Sequence, residues 1–256
     1  MLKQILKKLF PSVLLNSFTT LYYRFYYLVA YRPAVIEEPD YDQYWEIKAG
    51  SRIGQLSSFR LSRAQAIANV IEEGSSVFDI GCGDGAILKY LIMEKGVVAR
   101  GIDISEKAVN FARSEGLNVS LGDALNPANL DISSKYDYII LSEIIEHIPN
   151  PEKLLLQLRD KFNKALIISI PNTGWIEHRA RLLLGRFPLQ WICYPGEHLR
   201  FWTLKDFQWW VDLLGYKISA VIPYQGVPIL KNACPNLFAQ AFVFVVTKET
   251  SSCRER

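Results

Sequence analysis

Residues 76–85 read SVFDIGCGDG, and this stretch decides the fold that the rest of the chain is expected to adopt. A short apolar run ends at Ile80 and leads directly into a turn with glycine at every second position. A helical pattern follows over residues 86–95. Glycines at such a junction let the backbone approach a ligand closely, and in open α/β sheets ligands bind at the carboxyl ends of the strands. The stretch therefore predicts the first strand and the first ligand-binding turn of an α/β protein.

Short apolar runs alternate with helical segments along most of the chain downstream of this turn. The predicted strands are 76–80, 97–103, 118–121, 136–141, 165–170, 216–222 and 239–247, and the predicted helices are 61–73, 86–95, 105–115, 151–162 and 203–214. Ser105 is placed to cap one helix, and Thr203 with Asp206 forms a capping box on another. This alternation predicts a doubly wound, mostly parallel sheet, interrupted by an insertion at residues 171–202.

The composition of the 256 residues is that of a globular protein with a large core. Half of the residues are hydrophobic and 21% are charged, which excludes intrinsic disorder. The net charge of +3 hides an asymmetry, because residues 1–36 carry five Lys or Arg and no acid. The remaining residues are slightly acidic, so nucleic acid is not an expected partner. The four cysteines form no CxxC pair, which favours a reducing, cytoplasmic location.

We divide the chain into three parts on this pattern. Residues 1–50 are expected to form a basic and aromatic helical extension with a linker, residues 51–248 the main domain, and residues 249–256 a disordered tail. Cations beside aromatic side chains predict peripheral contact of residues 1–32 with anionic lipid at the inner membrane face. The alternative is that this segment packs on the main domain or on a second subunit.

The charges around the glycine turn indicate which ligand it holds. Asp79 precedes the turn and Asp84 lies within it, and no Lys or Arg occurs between residues 77 and 88. A pyrophosphate needs helix-terminal N–H groups without a nearby anion, so this arrangement disfavours NAD. It predicts instead a site walled by carboxylates and empty of basic side chains, suited to the cationic S-adenosylmethionine. Asp103 and Asp123 end the next two strands, placed to accept hydrogen bonds from ribose hydroxyls and from the adenine amino group.

The chain resembles the class I S-adenosylmethionine-dependent methyltransferases over about residues 57–247, through VFDIGCGDG, RGIDIS, LGDALN and YDYIILSEIIEHIPNPEKLL. The resemblance implies a Rossmann-like, seven-stranded sheet of order 3-2-1-4-5-7-6 with an antiparallel last strand. It also implies cofactor roles for Gly81, Gly83, Asp103 and Asp123. The whole set of predicted cofactor contacts is Asp79, Gly81, Cys82, Gly83, Gly85, Asp103, Ile104, Asp123, Ala124, Ser142 and Glu143.

Within that superfamily the chain is similar to MetW-type proteins of methionine biosynthesis. The stretches that carry this likeness are ISIPNTGWIEHRARLLLGRFPLQ and EHLRFWTLKDF. The likeness implies an alternative function, that of an accessory protein that binds a homoserine O-acyltransferase. The sequence leaves open whether the chain pairs with itself or with such a partner.

Candidate catalytic residues follow the fourth predicted strand. His147 and Glu146 are the predicted catalytic pair, because an imidazole is the natural base at neutral pH for a hydroxyl acceptor. Together with Glu143 they form E-x-x-E-H, expected to lie on one helix face, which resembles the metal-binding triad of ubiquinone-pathway O-methyltransferases and of small-RNA 2′-O-methyltransferases. Mg²⁺ is the alternative that this likeness implies, with His198 as a fourth ligand, and purely structural roles stay open beside it.

The insertion mixes arginines with aromatic residues and predicts a wall for an anionic or sugar-bearing acceptor. The predicted acceptor contacts are Tyr44, Arg179, Trp191 and His198. The sequence thus predicts O-methylation of a sugar, glycolipid or small hydroxyl compound. The accessory function and an NAD-linked oxidoreductase are the alternatives.

Overall fold

The computed structural model describes residues 22, 25, 26, 28, 29, 40–49, 53–126, 128, 130, 135–188, 190 and 197–249. Most of the predicted lipid-contacting segment and of the predicted tail lies outside these residues, so both stay predictions. The five described residues between 22 and 29 are helical, and the aromatic side chains of Tyr22, Phe25 and Tyr26 are exposed. Within the described part of the chain, no helix is both long and apolar enough to cross a lipid bilayer.

A seven-stranded sheet forms the centre of the molecule. Its strands are β1 (Ser76–Ile80), β2 (Val98–Asp103), β3 (Val119–Leu121), β4 (Tyr136–Ser142), β5 (Phe162–Pro171), β6 (Tyr216–Gly226) and β7 (Ala239–Lys248). Their order is β3-β2-β1-β4-β5-β7-β6, with β7 antiparallel to both of its neighbours. The predicted fold and strand order are confirmed.

Helices cover both faces of this sheet. They are α1 (Tyr41–Ala49), α2 (Ser58–Ala68), α3 (Ala86–Lys95), α4 (Glu106–Ser114), α5 (Pro151–Leu158), α6 (Ile176–Leu183), α7 (Leu204–Leu213), α8 (Leu230–Ala233) and α9 (Pro235–Phe238). The predicted caps are confirmed, since the side chains of Ser105 and Thr203 accept hydrogen bonds from Ala108 N and Asp206 N.

Two predicted helices had wrong boundaries. The helix predicted over residues 61–73 runs from Ser58 to Ala68, because Ser57 caps its start and the chain leaves the helix at Asn69. The helix predicted to reach residue 162 ends at Leu158. Phe162 begins β5 instead, where it pairs with Tyr136 of β4 and is buried. Tertiary packing overrides the helical pattern at that point.

The core consists of two apolar layers, one on each face of the sheet. One layer joins β-strand side chains such as Phe244 to Leu155 of α5 and Phe207 of α7. The other joins the opposite strand faces to side chains such as Ile67 of α2 and Leu88 of α3. Burial on both faces explains why the central strands read as nearly continuous apolar runs.

The strand order positions the functional site. β1 lies between β2 and β4, with Asp79 in register with Gly101 on one side and Ile140 on the other. The chain winds outward in opposite directions from β1 and β4, so a crevice opens at their carboxyl ends. The acidic residues predicted from the strand ends therefore converge at this crevice.

Candidate functional site

A cavity of about 750 Å³ lies over the carboxyl ends of β1 to β4. This volume is within the range of sites that hold cofactors and small substrates. Every predicted cofactor contact except Gly85 lines it. Of the predicted acceptor contacts, Tyr44 and His198 line it and Arg179 does not, while Trp191 lies outside the described residues.

The glycine turn after β1 forms the floor of the cavity. A Cβ atom added at Gly81 would overlap the side chain of Ile144, and one added at Gly83 would overlap the ring of Trp45. Both glycines have positive φ angles, of 76° and 55°. The turn therefore needs glycine for its conformation and for the close approach of its neighbours.

Gly85 differs from these two glycines, and the prediction that it contacts the cofactor is corrected. It caps the N-terminus of α3 with a φ of 73°, and an added Cβ would meet Leu117 and Ala112 behind the turn. Because glycine occurs at every second position of the turn, the sequence predicted the same cofactor-contacting role for all three glycines. Their positions differ because the chain already turns into α3 at Gly85.

Asp79 is a buried carboxyl group at the cavity wall. It is 1% exposed, and its Oδ1 atom has no hydrogen-bond partner among the described residues. Burial, together with the negative charge of Asp103, raises the pKa of Asp79 to about 8. A cationic ligand group beside it would favour ionisation. The unpartnered oxygen fits the ammonium group of S-adenosylmethionine.

Asp84 does not face the cavity, which corrects part of the electrostatic argument. Its carboxylate forms an ion pair with Arg60 and accepts hydrogen bonds from Gly54 N at 2.8 Å and Ala86 N at 3.2 Å. Despite opposing burial, these partners lower the pKa of Asp84. The charge that was expected to repel a pyrophosphate is thus neutralised inside the protein.

The prediction of a cavity without basic side chains was also wrong. Arg60 and Arg63 both line the cavity, and both come from α2, before the glycine turn in sequence. The absence of Lys and Arg from residues 77–88 gave no information about this helix. Arg63 is 9% exposed, and one of its terminal nitrogens lies 3.7 Å from Oε2 of Glu143.

Asp103 and Asp123 lie where the sequence placed them, at the ends of β2 and β3. Asp103 accepts hydrogen bonds from Gly83 N at 2.7 Å and Ser105 N at 2.9 Å, one on each carboxylate oxygen. Each oxygen keeps a further lone pair for a ligand hydroxyl. Oδ1 of Asp123 accepts from Leu125 N at 2.8 Å. Both carboxylates are therefore held in place and still able to accept hydrogen bonds from a nucleoside.

Helix α1 covers the cavity with three aromatic residues, Tyr41, Tyr44 and Trp45. Asp42 fixes this helix to the start of α4 by accepting hydrogen bonds from the Ser105 hydroxyl and from Lys107 N. Burial, with the charges of Glu197 and Asp103, raises the pKa of Tyr41. Aromatic side chains of α1 thus lie over the cavity.

Glu143 does not lie on the same face as Glu146 and His147, the other two residues of the predicted metal-binding triad. It follows β4 with a positive φ of 55°, so its side chain is not aligned with the short 3₁₀ turn Ile145–His147. Its Oε1 accepts hydrogen bonds from the hydroxyls of Tyr224 at 2.8 Å and Ser169 at 3.3 Å. The prediction that Glu143, Glu146 and His147 form one metal-binding face is therefore corrected.

Glu146, His147 and His198 form the cluster that the structure does bring together. One potential ligand atom of each lies within 4.8 Å of those of the other two. Both carboxyl oxygens of Glu146 are buried without a hydrogen-bond partner among the described residues. Burial, with the nearby charge of Glu143, raises the pKa of Glu146 well above its usual range. Burial and His147 lower the pKa of His198 to about 3.

The orientation of His147 is set by a backbone carbonyl. Its Nδ1 lies 2.6 Å from the oxygen of Glu197, and because a carbonyl only accepts, Nδ1–H is the donor. In the neutral ring the lone pair is then on Nε2, 4.0 Å from Oε1 of Glu146. His147 therefore has a defined tautomer with a basic nitrogen among acidic and imidazole side chains.

Three of the four arginines of the insertion donate to backbone carbonyls and do not line the cavity, which corrects the predicted role of Arg179. Arg179, Arg181 and Arg200 donate to the carbonyl oxygens of Gly174, Phe187 and Pro149, respectively. The described residues that the insertion does contribute to the cavity lining are Pro171, Trp175, Glu177, His178, Gln190, Glu197 and His198. Of these residues, the sequence analysis predicted only His198 as a site residue. Four of them form two Glu-His pairs, at residues 177–178 and 197–198, and this repeated pair is the sequence signal that indicates them.

Several solved structures that share this fold are described as S-adenosylmethionine-dependent methyltransferases. One from Archaeoglobus fulgidus aligns with a TM-score of 0.60 at 18% identity and covers 82% of this chain and 100% of its own. Magnesium protoporphyrin IX methyltransferase from Synechocystis, solved with bound SAH, aligns at 0.53 and 18%, covering 80% and 97%. These likenesses show that the chain has the fold of the class I S-adenosylmethionine-dependent methyltransferases.

The particular family follows from the sequence comparison. Residues 62–246 match the family described as methionine biosynthesis protein MetW, and the chain belongs to that family. The bifunctional methionine biosynthesis protein MetXA/MetW of Rhodopirellula baltica is 26% identical over 208 residues, which are 72% of this chain and 32% of that protein. A ubiquinone biosynthesis O-methyltransferase of Glaesserella parasuis is 27% identical over 180 residues, 62% of this chain and 72% of the relative. The chain thus spans about a third of the bifunctional relative.

Proposed function

We propose that this protein binds S-adenosylmethionine and transfers its methyl group to a hydroxyl of a sugar, a glycolipid or a small neutral compound. The observation that carries the proposal is His147, whose Nδ1–H is held by the Glu197 carbonyl so that the lone pair of the neutral ring is on Nε2. A hydroxyl needs a base to become a methyl acceptor, because it must lose its proton during the displacement. The cavity offers this base beside the cofactor end.

The charges of the acceptor end favour a neutral acceptor over an anionic one. Glu146, Glu177 and Glu197 line that end with three histidines, and no described Lys or Arg of the insertion lines the cavity. An anionic acceptor would meet carboxylates there without compensation. Trp175, which is buried at the same wall, offers an aromatic face to a sugar ring or another flat group.

The roles of the chain's own residues follow from these contacts. S-adenosylmethionine, when bound, supplies a methyl group already activated by the sulfonium. The glycine turn, Asp103 and Asp123 hold the nucleoside, and Trp45 with Tyr44 excludes water from above. His147 takes the acceptor proton at Nε2, and Oε1 of the buried Glu146 lies 4.0 Å from that nitrogen.

Mg²⁺ is not part of the proposal, because the donor set does not suit it. Two imidazoles and one carboxylate are ligands that Zn²⁺ or Mn²⁺ accepts more readily than Mg²⁺, which prefers oxygen. We expect turnover to survive treatment with EDTA. Strict dependence on added Mn²⁺ or Zn²⁺ would instead assign His147 as a ligand and not as the base.

A transfer assay with S-adenosylmethionine and a panel of neutral sugars, glycolipids and small alcohols tests the proposal by the formation of S-adenosylhomocysteine. With an accepted substrate, His147→Gln should lower kcat by about 10²–10⁴-fold and leave the affinity for S-adenosylhomocysteine unchanged. Arg179→Gln, on an exposed side chain outside the cavity, is the matched control. Full activity of the His147 variant would remove the assigned base.

A second function is favoured by the family match and by the bifunctional relative. In Rhodopirellula baltica a MetXA/MetW protein is one polypeptide. In this second proposal the chain is an accessory unit of methionine biosynthesis whose partner is a homoserine O-acyltransferase. Co-expression of the two chains followed by size-exclusion chromatography distinguishes the functions. A stable complex with no methyl transfer to any acceptor would favour the accessory function.

The cytoplasmic location, with residues 1–32 in peripheral contact with the inner membrane face, also stays a proposal. It is supported by the basic and aromatic composition of that segment and by the exposed rings of Tyr22, Phe25 and Tyr26.

A further inference from the structure

Gln190 is a residue of the insertion that lines the cavity, and the proposed mechanism gives it no role. The hydroxyl of Thr173 donates to its Oε1 at 2.8 Å, and this bond fixes one end of the amide. The other end, Nε2, is buried without a hydrogen-bond partner among the described residues. Because an amide nitrogen carries two N–H donors, Gln190 has donors left for a ligand.

The anchor of this amide places Gln190 at the acceptor end of the cavity. Thr173 lies two residues after the end of β5, and β5 pairs in parallel with β4 as far as the last residue of β4. The carboxyl ends of the two strands therefore lie side by side. The turn after β4 carries Glu146 and His147. The amide and the proposed base thus belong to the same end of the cavity.

Two further polar side chains of this end are buried without being satisfied by the protein. Neither carboxyl oxygen of Glu146 has a hydrogen-bond partner in another described residue, and Nδ1 of His198 has none either. The ring of His198 lies against that of His147, with the ring centroids 4.7 Å apart. Burial raises the pKa of Glu146 and lowers the pKa of His198 to about 3, and both shifts favour the neutral forms.

The chemistry of this set favours several hydroxyl groups over one. A hydroxyl both donates and accepts, so it can pair with an amide N–H, an imidazole nitrogen or a carboxylic acid. The hydroxyl that is methylated gives its proton to His147. Gln190, Glu146 and His198 lie on three different segments and need partners of their own, because buried polar groups without partners are costly.

We propose that Gln190 and His198 bind hydroxyls next to the one that is methylated, so that the acceptor is a ring with several hydroxyl groups, such as a pyranose or a cyclitol. This inference rests on the proposed methyl transfer and narrows its acceptor class, because it excludes alcohols and phenols with a single hydroxyl. Gln190 is then a specificity-determining residue that donates from Nε2 to an acceptor oxygen.

Transfer assays with rings of equal size test the inference by the formation of S-adenosylhomocysteine. Methyl pyranosides and myo-inositol carry several hydroxyls, whereas cyclohexanol and phenol carry one. We expect kcat/KM for at least one of the polyhydroxylated rings to exceed that for each single-hydroxyl ring by more than about 100-fold, because a site built to bind a hydroxyl rejects the analogue that lacks it.

Variants of Gln190 assign this preference to its amide. Gln190→Leu should raise KM for the accepted polyhydroxylated ring by about 5- to 30-fold and leave kcat within about twofold, since the residue does not hold the transferred proton. Gln190→Glu keeps an oxygen for the Thr173 hydroxyl but has no N–H, so it should raise KM at least as much. Arg179→Gln, outside the cavity, should change neither constant.

The outcomes separate this inference from the proposed function. If no member of the panel is methylated, both are contradicted. If cyclohexanol or phenol is methylated as well as the pyranosides, methyl transfer stands and the inference is overturned. The inference is also overturned if Gln190→Leu lowers kcat at unchanged KM, or leaves both constants unchanged. Should Gln190→Leu fail to fold, Gln190→Glu decides by the same comparison of KM with kcat.

Discussion

The cofactor end and the acceptor end of the cavity differ in how their carboxyl groups are held. At the cofactor end, Asp103 and Asp123 accept hydrogen bonds from backbone amides that are close to them in the fold. At the acceptor end, both oxygens of Glu146 and Nδ1 of His198 are buried without hydrogen-bond partners among the described residues. Apart from Oδ1 of Asp79 and Nε of Arg63, the described polar groups of the first region are largely satisfied by the protein, whereas the second region leaves polar atoms for a substrate to satisfy.

This difference has a physical origin in the fold. Strand ends and their turns position the cofactor end, and the hydrogen bonds of the turns fix the side chains there. The acceptor end combines a 3₁₀ turn after β4 with residues of the insertion, about fifty positions later. Unsatisfied buried groups are costly, so their presence marks the places where binding supplies the missing partners.

The largest expected effect is a loss of affinity for S-adenosylhomocysteine when the cofactor end is altered, compared with a small change when the acceptor end is altered. Asp103→Ala removes the carboxylate proposed to accept both ribose hydroxyls, so binding of S-adenosylhomocysteine should weaken by about a thousand-fold. His198→Ala at the acceptor end should change the same affinity by less than about threefold. Calorimetric titration measures both. Comparable losses for the two variants would show that the ends do not act separately.

The next effect compares two acids of the cofactor end by their influence on stability. The pKa of Asp79 is raised to about 8, so between about pH 4 and 8 the folded protein keeps a proton that the unfolded chain releases. The free energy of unfolding therefore falls as pH rises through this window, and Asp79→Asn removes that loss. We expect the ligand-free variant to be more stable than the wild type above pH 8 by about 1–3 kcal/mol.

Asp84→Asn is the matched variant with the opposite sign. The pKa of Asp84 is lowered, so its ion pair with Arg60 stabilises the fold above the pKa of the unfolded residue, and this stability is lost as pH falls through the folded pKa. At pH 7 the variant should be less stable by about 3 kcal/mol. Urea unfolding at pH 5, 7 and 8.5 measures both variants. If Asp79→Asn and Asp84→Asn changed the free energy of unfolding in the same direction, the environments assigned to the two carboxyl groups would be contradicted.

The smallest effect concerns the third glycine of the turn. Gly85→Ala should destabilise the protein by about 1–2 kcal/mol, because the residue has a positive φ and a Cβ would press on Leu117. The affinity for S-adenosylhomocysteine should stay within about twofold of the wild type, since Gly85 does not line the cavity. A selective loss of affinity at unchanged stability would restore Gly85 as a cofactor contact.

The sequence predicts the cofactor end well because its information is local. The acids at the ends of β1 to β3 and the glycines Gly81 and Gly83 each follow a recognisable apolar run, and the sheet brings them together by its topology. The charge argument failed where the partner is remote. Arg60 reaches Asp84 from 24 residues away, and no local pattern indicates that contact.

The acceptor end was predicted less well for the same reason. E-x-x-E-H suggests three ligands on one helix face, but the positive φ of Glu143 and the 3₁₀ turn after it direct the side chains apart. His198 was predicted to join this group, and the structure places it there. The insertion's arginines look like acceptor-binding residues by composition. Their hydrogen bonds to backbone carbonyls become visible only in the fold.

Titration of the purified protein with S-adenosylmethionine, S-adenosylhomocysteine and NAD tests the central claim most directly, namely that the crevice at the ends of β1 to β4 holds a cationic nucleoside. We expect saturable one-to-one binding of the first two ligands, no measurable binding of NAD, and loss of both S-adenosyl ligands in Asp103→Ala. Binding of NAD at this site, or no binding of either S-adenosyl compound, would contradict the account.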